Sequence, residues 1–255
     1  MFKTLRIAFL LFVLAAVASA TWRAKTNSVA WKYTLIVNVY PINADGSKTS
    51  EAYVRSLQVD EFKPIEKFMR DEAARHELAA NASIEMRLGP VLTSVPPAPP
   101  VAGSVLDVII WSLQLRWWSF RNAQTHGPGS QVKLFVLYFD PGKNAQLDHS
   151  TALQKGLLGR VNVFAASQMK SQNNVIIAHE FLHTLGAADK YDLLSNQPIF
   201  PQGYANPEQL PLFPQQLAEI MGGRVPLTQT SSDIPLSLDH VVIGDQTARE
   251  INWIN

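Results

Sequence analysis

The sequence predicts a single domain of mixed class, α+β or α/β. It would hold a mixed, mostly parallel sheet, one histidine-bearing helix and a loop-rich C-terminal part. Three observations predict this. Strand-like runs at 33–40 and 83–88 flank a helical pattern over 59–80, and a β-α-β order implies parallel pairing with a right-handed crossover. A second pair of strand-like runs, 132–139 and 160–166, precedes a helix at 174–185. Seven of the 16 prolines fall between Pro198 and Pro235, which leaves little room for regular structure there.

Each element has its own signature. Residues 33–40 (YTLIVNVY) are β-branched and aromatic, and Pro41 with the turn 43–46 should end that strand. In 59–80, Phe62, Ile65, Phe68, Met69, Ala73 and His76 recur at helical spacing, with Pro64 in the first turn. Residues 83–88 (SIEMRL) alternate and stop at Gly89-Pro90. The run 96–100 (PPAPP) excludes helix and central strand. Residues 103–122 form a second helix carrying Trp111, Trp117 and Trp118. Large aromatics mainly fill cores, so a core-packing helix is expected, with a membrane-interface helix as the alternative. Residues 132–139 (VKLFVLYF) make the strongest strand, and the shorter, half-polar 160–166 suits an edge. Within the Pro-rich stretch one short helix is expected near 214–220, and 248–253 reads as a strand or a helical turn.

Composition excludes several classes. With 47% hydrophobic residues and a net charge of +1, the chain is not disordered. Its 22 Lys+Arg nearly cancel its 21 Asp+Glu, which argues against a nucleic-acid surface. It has no cysteine, so disulfide and thiolate sites are impossible. Residues 1–20 read as an export signal: Lys3 and Arg6 precede an apolar run that closes on Ala18-Ser19-Ala20. That run is shorter than the about 20 residues of a spanning helix, though an uncleaved N-terminal anchor is the alternative. The remainder, 21–255, is the folded domain. The protein is thus expected to be exported, to an extracellular or periplasmic space.

The chemistry lies in 179–189 (HEFLHTLGAAD). Residues i and i+4 share a helix face, so His179 and His183 stand side by side, at the spacing for two imidazole ligands of one zinc ion. Glu180 is placed to reach a water on that metal. Ile177, Phe181, Ala178, Leu182 and Leu185 give the helix apolar faces away from the histidines, and Ser171 or Asn173 could cap its start. Gly186 terminates the helix and lets the chain reverse. Asp189 can then supply the third ligand that a catalytic zinc requires, with 179–189 as the zinc site. A bare H-E-x-x-H arises by chance in roughly one chain of this size in a hundred, so the added Gly and Asp carry weight. Asp192 competes as a ligand or an orienting group.

These residues resemble the extended motif H-E-x-x-H-x-x-G-x-x-H/D of the metzincin zinc metallopeptidases. The Asp-ending form is similar to that of snapalysin-type proteases. The resemblance implies a zincin-like fold and a methionine turn beneath the metal, which 219–223 (EIMGG) would supply through Met221. It also implies that 160–166 is the edge strand along which an extended peptide lies. Where some metzincins have a tyrosine that supports the oxyanion, this chain has Gly223. Tyr191 is the candidate for that role, against a packed loop tyrosine. A thermolysin-like arrangement would instead recruit Glu208 or Glu219 as third ligand. The implied activity is an exported zinc-dependent peptidase, with Glu180 as general base and peptide or protein substrates. The alternative is a catalytically weak, zinc-stabilised peptide-binding or envelope-surface protein. Peripheral membrane contact fits either.

Overall fold

The computed structural model describes residues 5–7, 11–12, 19, 26–78, 83–100, 103–123, 131–153 and 156–254. Most of the apolar segment 1–20 therefore lies outside the described residues. The chain forms a mixed α/β architecture around a five-stranded, mostly parallel sheet. Its strands are β1 (Leu35–Asn43), β2 (Ile84–Leu88), β3 (Gln131–Phe139), β4 (Thr151–Leu153) and β5 (Leu158–Phe164). The order is β2-β1-β3-β5-β4, and only β4 is antiparallel to its neighbour.

Side-chain alternation explains the layering. On β3, Leu134, Val136 and Tyr138 join one apolar cluster, whereas Phe135 and Leu137 join another on the opposite face. The first cluster is completed by α1 (Lys48–Ser56), α2 (Lys63–Arg75) and α4 (Lys170–Leu185). The second is completed by α3 (Val105–Asn122), through Trp111 and Leu115, one helical turn apart. A sheet buried on both faces accounts for strands that read as nearly continuous apolar runs.

Several expectations are corrected. Strand β1 runs through Pro41 to Asn43. Strand β2 is paired with β1 only as far as Val39, and the Pro41 carbonyl, on the side that β2 has left, accepts from Leu92 N–H. The missing proline N–H faces the same side, so no ladder bond is lost. The helical pattern at 59–80 resolves into a short 3₁₀ turn, Val59–Phe62, and then α2, with Pro64 in its first turn. Helix α1 was not anticipated. It is polar and starts on Ser47, whose side chain accepts from Ser50 N–H. Strand β5, expected at an edge, lies between β3 and β4 and is almost wholly buried, so β4 is the edge. The other edge, β2, carries an exposed Glu85–Arg87 ion pair of 2.7 Å.

Helix α3 fits the core-packing expectation only in part. It buries Trp111, Leu115 and Ser119, one face of a helix that is apolar nearly all round. Val105, Leu106, Ile109 and Leu113 stay exposed, as do Trp117 (62%) and Phe120 (73%). Beyond α4 no helix forms at 214–220. That region holds the two-residue strands β6 (Ala218–Glu219) and β7 (Val225–Pro226). The strands β8 (Ser232–Asp233) and β9 (Val241–Val242) follow, and α5 (Asp245–Glu250) closes the chain as a helix.

Candidate metal centre

Helix α4 carries the first two site residues. It begins at Lys170, earlier than its apolar pattern suggests, because the 3₁₀ turn Ser167–Met169 leads into it. Neither Ser171 nor Asn173 caps it; the Asn173 amide donates to the Phe164 carbonyl instead. Ile177, Ala178, Phe181, Leu182 and Leu185 are buried and fix the helix against the sheet. This turns His179 and His183 toward a cleft, with side chains 13% and 17% exposed.

Both imidazoles are oriented from behind. His179 Nδ1 lies 2.8 Å from the Ile220 carbonyl, and His183 Nδ1 lies 2.8 Å from the Ala187 carbonyl. A carbonyl only accepts, so each Nδ1 keeps a proton for it, and each Nε2 presents a lone pair once the ring is neutral. The two Nε2 atoms are 3.1 Å apart. Asp189 Oδ1 lies 3.2 Å from His179 Nε2 and 3.1 Å from His183 Nε2. Three electron-pair donors thus form a nearly equilateral triangle. Tetrahedral zinc with ligands at about 2.0–2.1 Å requires separations of about 3.3 Å, so this donor set fits the metal closely.

Asp189 reaches that position because the chain around it is tied down. Gly186 ends α4 with φ +122°, which an L side chain rarely adopts, and Gly186 and Ala187 N–H both donate to Leu182 O. Glu250 on α5 accepts from Ala188 N–H (3.0 Å) and from Lys190 Nζ (2.8 Å). Lys190 N–H donates to the Met221 carbonyl at 2.8 Å. Glu219 is wholly buried and accepts from Gly222 N–H, Gly244 N–H and Thr247 Oγ1, at 2.8, 3.2 and 2.6 Å. The turn that contains Met221, itself wholly buried, therefore holds both the His179 imidazole and the Asp189 loop. Lys190, Glu250 and the anchoring role of Glu219 were missed from sequence. Isolated charged residues in loops carry no spacing signal.

Electrostatics follow from this crowding. Burial works to lower the His179 pKa, but the Asp189 hydrogen bond, the Glu180 and Asp189 charges and the Ile220 carbonyl together raise it to about 9. For Asp189, burial opposes ionisation, and the two imidazoles more than offset it, so its pKa lies below the usual range. Glu180 is 5% exposed, and burial pushes its pKa up against the opposing pull of both histidines. Its carboxylate lies within 4.8 Å of the imidazole nitrogens, and its Oε2 has no hydrogen-bond partner. A buried acceptor with no partner beside convergent metal-type donors is suited to receive a proton from a bound reactant.

The other sequence candidates fall in different places. Tyr191 packs near the site, its ring centroid 6.3 Å from that of His179. Burial, the neighbouring carboxylates and a hydrogen bond to Asp189 raise its pKa. Asp192 points away and accepts from Ser195 N–H (2.8 Å), Ser195 Oγ (2.8 Å) and Leu194 N–H (3.2 Å). Glu208 is exposed, and Glu219 is occupied beneath the turn. A cavity of about 400 Å³ opens beside His179 and Glu180, between α4, the loop 147–150 and the segment that follows Met221. No protein-family profile matches this chain, and no curated protein matches it.

Proposed function

We propose that the protein is an exported zinc peptidase of metzincin type, with a zincin-like arrangement of its sheet and α4. One observation carries the reading: His179 Nε2, His183 Nε2 and Asp189 Oδ1 converge within 3.2 Å, with buried Glu180 beside them. Those three residues would hold zinc. When bound, the metal supplies Lewis-acid polarisation of a carbonyl and lowers the pKa of a water towards about 7.

The remaining tasks belong to the chain itself. The Glu180 carboxylate takes a proton from the attacking water and returns it to the nitrogen of the leaving amine. Burial raises its proton affinity, which suits both transfers. Tyr191 lies close enough to Asp189 for that carboxylate to act on its phenol. Strand β4 is an edge of the sheet and directly follows the cavity-lining segment 147–150, and an extended peptide can lie along it by strand addition. The exposed apolar face of α3, with Trp117 and Phe120 next to Arg116 and Arg121, supports peripheral contact with a membrane surface.

The test is a paired assay of zinc content and peptide cleavage. Glu180→Gln should keep near-stoichiometric zinc while cleavage falls by about 10²–10⁴-fold. Asp189→Ala should lose the zinc itself. Full cleavage by Glu180→Gln would overturn the mechanism. A wild-type protein that holds no zinc after reconstitution would overturn the metal site.

A further inference from the structure

The cavity beside Glu180 contains an unanswered charge. Its walls are largely apolar and include Val175 and Ile176 from α4, with Ile220 and Ile234 opposite. Among the lining residues Arg224 is the only lysine or arginine. It is half-buried and makes no ion pair or hydrogen bond among the described residues. Neither acidic residue in the lining makes an ion pair with it among the described residues. Burial lowers the Arg160 pKa and the Asp148 charge opposes that, while Glu180 sits in the field of His179 and His183.

Arg224 is also firmly placed. It follows Gly223, which turns the chain at φ +71°, and immediately precedes β7, so its backbone is set by the same turn that holds His179. A part-buried guanidinium with no partner among the described residues can offer its forked N–H donors to an incoming group. That is the arrangement of a receptor for a carboxylate.

We infer that Arg224 selects substrates bearing a carboxylate on the residue that enters this cavity, next to the scissile bond. The carboxylate belongs either to an Asp or Glu side chain or to the C-terminus of the substrate. The inference rests on the peptidase reading and names its substrate class.

The experiment uses zinc-loaded protein and matched peptides that carry Glu, Gln or Lys at one position on either side of the cleavage site. Each peptide is made with a free and with an amidated C-terminus. Wild type should cleave the Glu peptide at least about tenfold faster than the Gln peptide, as expected for a hydrogen bond to a charged group. Arg224→Gln should abolish that preference, and Arg224→Glu should turn it towards Lys, both with zinc content unchanged. A preference that follows the free terminus rather than Glu assigns the carboxylate to the chain end. Equal cleavage of Glu, Gln and Lys peptides and of both terminal forms by wild type would overturn the inference while leaving the peptidase reading intact. So would a preference that survives in Arg224→Gln. Binding of the same peptides to Glu180→Gln separates the two ideas. Carboxylate-selective binding without wild-type turnover would overturn the peptidase reading and keep the receptor. Binding without selectivity would overturn the receptor.

Discussion

If His179 is a zinc ligand, its proton and the metal compete for the same Nε2. In the metal-free protein its folded pKa of about 9 lies above the ordinary 6.5. A raised pKa means that the proton stabilises the fold fully below about pH 6.5, and that this contribution fades as pH climbs through about 9. Zinc needs the unprotonated Nε2, so it must displace that proton. Two outcomes are expected. Thermal stability of the metal-free protein falls between pH 6.5 and 9, and zinc affinity rises over the same interval. Calorimetric titration at pH 7.5 in two buffers of different ionisation enthalpy should report release of about one proton per zinc. Identical heats in both buffers would sink the idea. At this scale the i, i+4 histidines and the Gly186 reversal were legible in sequence, because helix geometry fixes which residues share a face. The carbonyls of Ile220 and Ala187, which set the imidazole tautomers, were not legible, since every residue has one.

Among the elements, the turn at Met221 joins the site to the rest of the fold. A Cβ on Gly222 would collide with the Gly203 carbonyl, so backbone packs directly on backbone there. Gly222→Ala should destabilise the protein by about 1–3 kcal/mol, read as a lowered thermal midpoint, and should weaken zinc binding by shifting the Ile220 carbonyl. A variant with unchanged midpoint and unchanged zinc affinity would mean that this contact yields freely. The strong strand at 131–139 was legible from its continuous apolar run, and α2 from its periodicity. The edge strand β4 was not. Three half-buried residues leave no pattern to read, so the half-polar neighbour β5 drew the edge assignment. Helix α1 escaped for a related reason: with only Ser50 and Val54 buried, it has little apolar stripe.

For the molecule as a whole, α3 is the feature that composition alone could not resolve. An all-round apolar helix is compatible with burial or with an interface, and only the placement of its neighbours decides how much is covered. Its exposed residues should bring the purified protein down with anionic vesicles, and Trp117→Ser with Phe120→Ser should reduce that sedimentation severalfold without loss of zinc. A wild type that stays wholly in the supernatant would remove the membrane contact from the picture. The two edges of the sheet have a different consequence. One edge is guarded by the paired charges of Glu85 and Arg87, and the other exposes only the three residues of β4. Growth of strand upon strand into a fibre needs a donor edge and an acceptor edge on each copy. If β4 grips an extended segment, as the peptidase reading requires, the charged pair on β2 opposes pairing at the far edge, so capture of a chain would not seed polymerisation.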